Sequence, residues 1–179
     1  MMKKILISVF IFAAALGLFI YVAQKKSVVV KVERTFNAPI EKVWTVWNDT
    51  ESIKQWWSPK GYSAPVIKND FRVDGSFLFS MQAPDGKMSW NTGKYIEIIE
   101  HQKIVSKMSF SDENGNMVPA AKYGLPGDWP DEVTVTVEFK DLGGKTQVHI
   151  EETGIPLIMS VFARMGWDQQ FDKFENLLK

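Results

Sequence analysis

The chain has no cysteine, which excludes disulfides, thiolate nucleophiles and Cys-ligated metal, and is compatible with either side of a membrane. Histidine is scarce as well: His101 and His149 are the only two, and they stand in no metal-ligand spacing. There is no Gly-rich phosphate loop, no His-Glu-x-x-His, no Gly-x-Ser-x-Gly and no calcium loop. Net charge is also absent, but only in total. Of 21 basic and 21 acidic residues, four lysines and no acid fall within positions 1–26, so the rest of the chain is acidic by four. Without a basic run there is no reason to expect nucleic acid as a partner.

The acidic residues supply no obvious chemistry. Asp85, Asp112 and Asp141 sit in turn sequences, where a carboxylate bonds to nearby backbone. No spacing shows that Glu97 and Glu100, or Glu151 and Glu152, face a common space, so a two-carboxylate mechanism is not expected. His149 has the opposite strand parity to Val148 and Ile150 and reads as a solvated position, and His101 follows Glu100 at a turn. The expectation is therefore no catalytic residue, no metal and no cofactor.

What is present is apolar and aromatic. From Ile5 to Ala23 nineteen residues run without a charge, a helix of about 28 Å against a hydrocarbon thickness of about 30 Å. Ala13, Ala14 and Ala15 come too early for a signal-peptide cleavage site, and Tyr21 spoils the one ending at Ala23. The reading is two units: 1–26, an uncleaved transmembrane anchor with basic flanks, and 27–179, a domain. The short basic start favours retention of the N-terminus in the cytoplasm, with the domain on the extracytoplasmic side.

Val28, Val30, Val32 and Phe36 alternate with polar residues as a strand with one face buried. Arg34 falls on the apolar side, so it is paired inside, lies beyond the core edge, or follows a bulge. Ala38-Pro39 opens a helix capped by Asn37 or Ala38, with Val43, Trp44 and Trp47 as its stripe. A second short helix, Glu51 to Trp57, carries Ile53, Trp56 and Trp57 on one side, and the two adjacent tryptophans point in different directions. The period then falls to two. Strands are expected around Phe77–Met81, Trp90–Ile98, Ile104–Phe110, Val133–Phe139 and Thr146–Ile150, with turns at Asp74-Gly75, Pro84-Asp85-Gly86 and Gly143-Gly144. Asn116 to Asp131, which contains Trp129, reads as an ordered loop over an edge or opening.

The chain closes on a helix expected from Pro156 to Leu178. It has two apolar stripes, one of Ile158, Val161, Phe162 and Met165, the other of Trp167, Phe171, Phe174 and Leu178. Either the helix bends near Gly166 or it is covered on two sides. Lys173 lies on its polar side, where substitution should cost little. These elements make an α+β fold, a curved antiparallel sheet closing round a long C-terminal helix. The seven tryptophans and twelve phenylalanines either fill the space between sheet and helix or line a pocket there. Trp57, Phe79, Trp90, Trp129 and Met165 are the candidates for contact with a small apolar ligand.

Glu33-Arg34-Thr35-Phe36-Asn37-Ala38-Pro39 through Trp44, and Ile53-Lys54-Gln55-Trp56-Trp57-Ser58-Pro59, resemble the start of domains homologous to the C-terminal domain of the activator of the heat-shock-protein-90 ATPase (AHSA1-like). Asp74-Gly75-Ser76-Phe77, Pro84-Asp85-Gly86, Gly93-Lys94-Tyr95 and Gly166-Trp167-Asp168 extend the resemblance over about 150 residues. It implies the helix-grip fold of the START-like (SRPBCC) superfamily, with a cavity between sheet and final helix, and carries over no catalytic residue. That superfamily spans carriers, cyclases and receptors, so fold alone does not choose a function. An apolar-ligand-binding module anchored in the membrane is expected first. A cyclase-like or isomerase-like enzyme comes second and a chaperone-interacting module third. Polar groups converging deep in the pocket would favour the enzyme.

Overall fold

The computed structural model describes the backbone of residues 2–179 and the side chains of residues 12 and 15–179. In chain order the elements are α1 (Met2–Lys25), β1 (Ser27–Phe36), α2 (Ile40–Asn48), α3 (Thr50–Trp56), β2 (Ile67–Asn69), β3 (Ser76–Gln82), β4 (Met88–Ile99), β5 (Lys103–Ser111), β6 (Val133–Asp141), β7 (Thr146–Pro156) and α4 (Ser160–Leu177). The seven strands form one antiparallel sheet in the order β1-β7-β6-β5-β4-β3-β2. Hairpins account for every neighbouring pair except β1 with β7, which brings the first strand back beside the last. The α+β, helix-grip expectation holds.

Alternation sets the inner face. Val30, Val32 and Phe36 on β1, Val133, Val135, Val137 and Phe139 on β6, and Val148 and Ile150 on β7 are all buried against the helices. On β4 the inward set is Asn91, Gly93 and Tyr95, the opposite parity to Trp90, which was expected to face a ligand. A register shift between Tyr95 and Glu97 then brings Ile98 inward and leaves Ile96 exposed.

The caps differ from expectation. Pro39 caps α2 without a side-chain bond, whereas Asp49 caps α3 by accepting from the Ser52 amide at 2.8 Å. Pro156 ends β7, paired with Ser27, and a single 3₁₀ turn at Leu157–Met159 precedes α4.

Only the second apolar stripe of α4 is covered. Trp167, Phe171, Phe174 and Leu178 are buried, while Val161, Phe162 and Met165 are at least half exposed. The grip is aromatic: Phe36 meets Phe171 and Phe174 at 5.3 and 5.0 Å, and Trp47 and Trp56 close on Phe174 at 5.4 and 5.5 Å, all edge-on. Arg34 is paired: its Nη1 donates to Asp172 Oδ1 at 2.6 Å, its Nη2 to the Asp168 carbonyl at 3.2 Å, and its guanidinium lies over Phe171. β1 is thereby strapped to α4.

The transmembrane anchor is corrected. Among the described residues no helix is long and apolar enough to cross a membrane. The single-pass topology, the membrane partner and the extracytoplasmic placement fall with it. The end of the expected span belongs to the domain, since the last turn of α1 is docked on it. Ala23 is buried, the Asp128 amide donates to the Gln24 carbonyl at 2.9 Å, and Lys25 pairs with Asp128 at 2.6 Å. The Leu157 amide then donates to the Lys26 carbonyl at 2.7 Å. The first part of the expected span, to Ile11 with Ala13 and Ala14, lies outside the described side chains.

Lys173 is also corrected. Its Nζ donates to the fully buried Ser58 Oγ at 2.8 Å and to the Tyr62 carbonyl at 2.9 Å, so it latches the Ser58–Tyr62 loop to α4. Replacing Phe171 or Phe174 by Ala should cost about 3–5 kcal/mol in urea titrations. Lys173→Ala should cost about 1–2 kcal/mol, above the few tenths of a surface lysine. A cost at Lys173 indistinguishable from that at exposed Lys179 would show that the latch contributes nothing.

Candidate functional site

The aromatic grip ends near Trp57, and beyond it sheet and helix part. Toward its C-terminus α4 presents Phe171 and Phe174 to the sheet, one on top of the other. Toward its N-terminus the same face presents Ala163, Gly166, Trp167 and Gln170. Trp167 reaches Glu152 on β7, but Ala163 and Gly166 are too small to reach the concave sheet. A cavity of about 920 Å³ remains, floored by Met81, Asn91, Met108, Phe110 and Val133 and roofed by α4 and Trp57. The loop expected to cover an opening does so, contributing Tyr123, Leu125 and Trp129 to the wall. It is fastened by Tyr123, whose hydroxyl donates to the Ser111 carbonyl, and by Gly127, which lies so close to Pro156 that a Cβ would approach to 2.6 Å. The charged lining residues Asp85, Lys87, Lys122 and Asp131 are exposed, and so mark the mouth.

Of the five candidate contacts, Trp57 and Trp129 line this cavity. Phe79 packs edge-on against Trp57 at 5.1 Å and borders a separate gap of about 50 Å³ on the filled side. Trp90 pairs with Ser80 and Ser111, so it points to the other face of the sheet, whereas its neighbour Asn91 pairs with Phe79 and Phe110 inside. Met165 is half exposed on the outer side of α4.

Sequence reasoning weighed Glu152 only as half of a carboxylate pair with Glu151 and set it aside. Neighbouring strand residues face opposite ways, so the Glu151–Glu152 pair is split by the sheet. Glu151 lies outside, bonded to Lys31 and near His149, whose ring also faces Glu33 at 3.5 Å. Glu152 lies inside, 7% exposed, on the cavity wall, with its Oε2 accepting from Trp167 Nε1 at 3.0 Å. Burial pushes its pKa up, and the Trp167 N–H pulls the other way less strongly. The signal was available: Glu152 has the parity of Val148 and Ile150. Gln170 was passed over, although it sits three residues after Trp167 and four before Phe174. Glu97 pairs with Lys103 at 2.8 Å and Glu100 is exposed, so neither adds a second carboxyl to the cavity. Among the described residues no cluster of three or more His, Asp or Glu could hold a metal.

A curved antiparallel sheet gripping a C-terminal helix over a one-ended cavity defines a helix-grip domain. The family described as Activator of Hsp90 ATPase homolog 1-like protein matches residues 37–179, and the chain belongs to it. Among solved structures, a protein of Chromobacterium violaceum is similar at 22% identity and a TM-score of 0.70, over 84% of this chain and 96% of that one. A protein of Arthrobacter aurescens gives 21% and 0.70, over 84% and 85%, and the AHSA1 protein of Silicibacter pomeroyi 18% and 0.68, over 83% and 96%. At such identities the likeness is one of fold. No curated protein matches.

Glu152 makes a pH prediction with a definite sign. Above the ordinary glutamate value of 4.5 the unfolded chain ionises this carboxyl while the folded chain keeps its proton, so rising pH favours unfolding until the raised folded value is passed. Glu152→Gln keeps an acceptor for Trp167 and removes the proton. Urea titrations should find the variant gaining on the wild type as pH rises from 4.5, by up to about 1.4 kcal/mol per pH unit. A difference independent of pH between 4 and 8 would mean the carboxyl ionises freely in the folded protein.

Proposed function

We propose that the chain binds a small, largely apolar molecule reversibly in this cavity. One observation carries the reading: about 920 Å³ stays open between sheet and helix, in the range of sites for small molecules, while the other end of the same groove is packed with rings. Methionines 81, 88 and 108 supply adaptable apolar wall. The family match is consistent with a cavity of this kind and names no ligand. A second reading, an acid–base enzyme of the isomerase or cyclase type, is favoured by Glu152, a carboxyl whose burial raises its pKa and so favours the form that can donate a proton. It stands behind binding because no second titratable group lies beside Glu152 among the buried lining residues.

Gly166 offers a test that spares the core. It faces the cavity within α4, and a Cβ there meets no heavy atom within 4 Å. Gly166→Leu should place a side chain in the cavity while favouring the helix by up to about 1 kcal/mol. Native mass spectrometry of protein purified without detergent, followed by organic extraction, should find a bound molecule on the wild type and none on Gly166→Leu. Equal loading of the two proteins would place the ligand elsewhere. An empty wild type whose tryptophan fluorescence ignores lipid and polyketide-like panels would remove the binding reading.

A further inference from the structure

Three polar side chains stand on the buried wall of the cavity, each from a different element. Glu152 comes from β7, Trp57 from the end of α3 and Gln170 from α4, and each is more than nine-tenths buried. Trp57 Nε1 has no acceptor and Gln170 Oε1 has no donor. Buried polar atoms left without partners destabilise a fold, and such orphans mark places where something else completes the bonding. Trp167 ties the three together. Its indole N–H holds Glu152 Oε2, its ring packs edge-on to Trp57 at 5.8 Å, and it precedes Gln170 by three residues on one helix face. The cluster therefore offers an indole N–H, an amide oxygen and a buried carboxyl whose burial favours its protonated form. It holds no cation, since the charged lining residues Asp85, Lys87, Lys122 and Asp131 are exposed at the mouth.

Building on the binding reading above, we propose that this cluster recognises the polar end of a neutral ligand. The ligand is an apolar body bearing a carbonyl oxygen beside an N–H or O–H, as in an amide, a lactam or a hydroxy ketone. Trp57 Nε1 and Gln170 Oε1 are covered in this structure, so small rotations of these two side chains open them to the cavity, where the ligand carbonyl oxygen accepts from Trp57 Nε1 and from the Glu152 carboxyl and the ligand donor goes to Gln170 Oε1. A carboxylate-headed molecule such as a fatty acid would bring an anion against a buried carboxyl with no cation to meet it. A pure hydrocarbon would leave the orphan atoms unmade.

Isothermal titration of the full chain at pH 7 with 2-naphthamide, 2-naphthoate and 2-methylnaphthalene holds the apolar body constant while changing the polar end. 2-Naphthamide should bind at least about tenfold more tightly than the other two, as expected where a site built for hydrogen bonds meets an analogue lacking them. Gln170→Leu and Trp57→Phe should each weaken 2-naphthamide several-fold and leave 2-methylnaphthalene unchanged. If Trp57→Phe fails to give a cooperative melt, Gln170→Leu carries the test alone. Equal affinities, a preference for 2-naphthoate, or variants that weaken all three probes alike would overturn the polar-end assignment and leave cavity binding standing. No heat from any probe at two temperatures would overturn the polar-end assignment, while the mass-spectrometric and fluorescence tests above decide the binding reading.

Discussion

The contact of Phe171 and Phe174 with Phe36, Trp47 and Trp56 is the constraint on which the other features rest. Two rings one turn apart on α4, met edge-on by rings from β1, α2 and α3, fix the height of the helix above the sheet. Once that height is fixed by phenylalanine, the same helix carried past Gly166 and Ala163 has no side chain long enough to reach the sheet. The cavity is thus a consequence of packing at the other end. Arg34 secures the arrangement from outside, joining β1 to Asp168 and Asp172 while covering Phe171.

Such a cavity is sustained by rigid walls. Trp57 stands at the boundary and belongs to both regions, packed against Trp56 and Phe79 on one side and facing open space on the other. The loop that follows it is pinned to α4 twice, by Lys173 on Ser58 and Tyr62 and by the Lys60 amide on Gln169 Oε1 at 2.9 Å. Glu152 works against stability. Its carboxyl has one protein donor, Trp167, in a site where burial disfavours its charge. A valine there would continue the run of Val148 and Ile150 without that cost, so the carboxyl is a feature the fold does not require.

The fold was legible because its signals are local. Alternation located six of the seven strands, and spacings of three and four found the buried faces of α2, α3 and α4. What escaped has physical causes. β2 is three residues long, too short for any period. In β4 the glycine at 93 and the shift after Tyr95 break the count, so Trp90 was assigned to the face that Asn91 occupies. At the site, apolarity misled. Met165 and Trp90 were chosen as large side chains near the groove, yet direction depends on parity and helix phase. The same rules, applied to polar residues, would have placed Glu152 and Gln170 inside. The apolar run at the N-terminus was read by length and hydropathy alone, which are blind to a last turn held by Asp128 and Leu157.

The residues that carry the family resemblance serve the fold rather than the cavity. Asp74 has a positive φ of 64°, and at Gly75 a Cβ would lie 2.0 Å from the Asp70 carbonyl, so this corner requires glycine. Gly93 is covered by the ring of Phe77, and a Cβ there would come within 2.4 Å of that ring and 2.1 Å of the Lys107 carbonyl. Tyr95, from the same motif, packs on Phe77 at 5.3 Å and donates to Asn69 at 2.7 Å. Aspartate, glycine, phenylalanine and tyrosine here form one corner that sets the β3–β4 register. Trp57, Pro59, Asp85, Gly166 and Trp167 are the motif residues that also line the cavity. Its remaining wall, Met81, Met108, Glu152 and Gln170 among it, lies outside the motifs. A resemblance built on corner and grip residues therefore accounts for the frame that holds sheet and helix apart, while most of the cavity wall is built from side chains that the resemblance does not include.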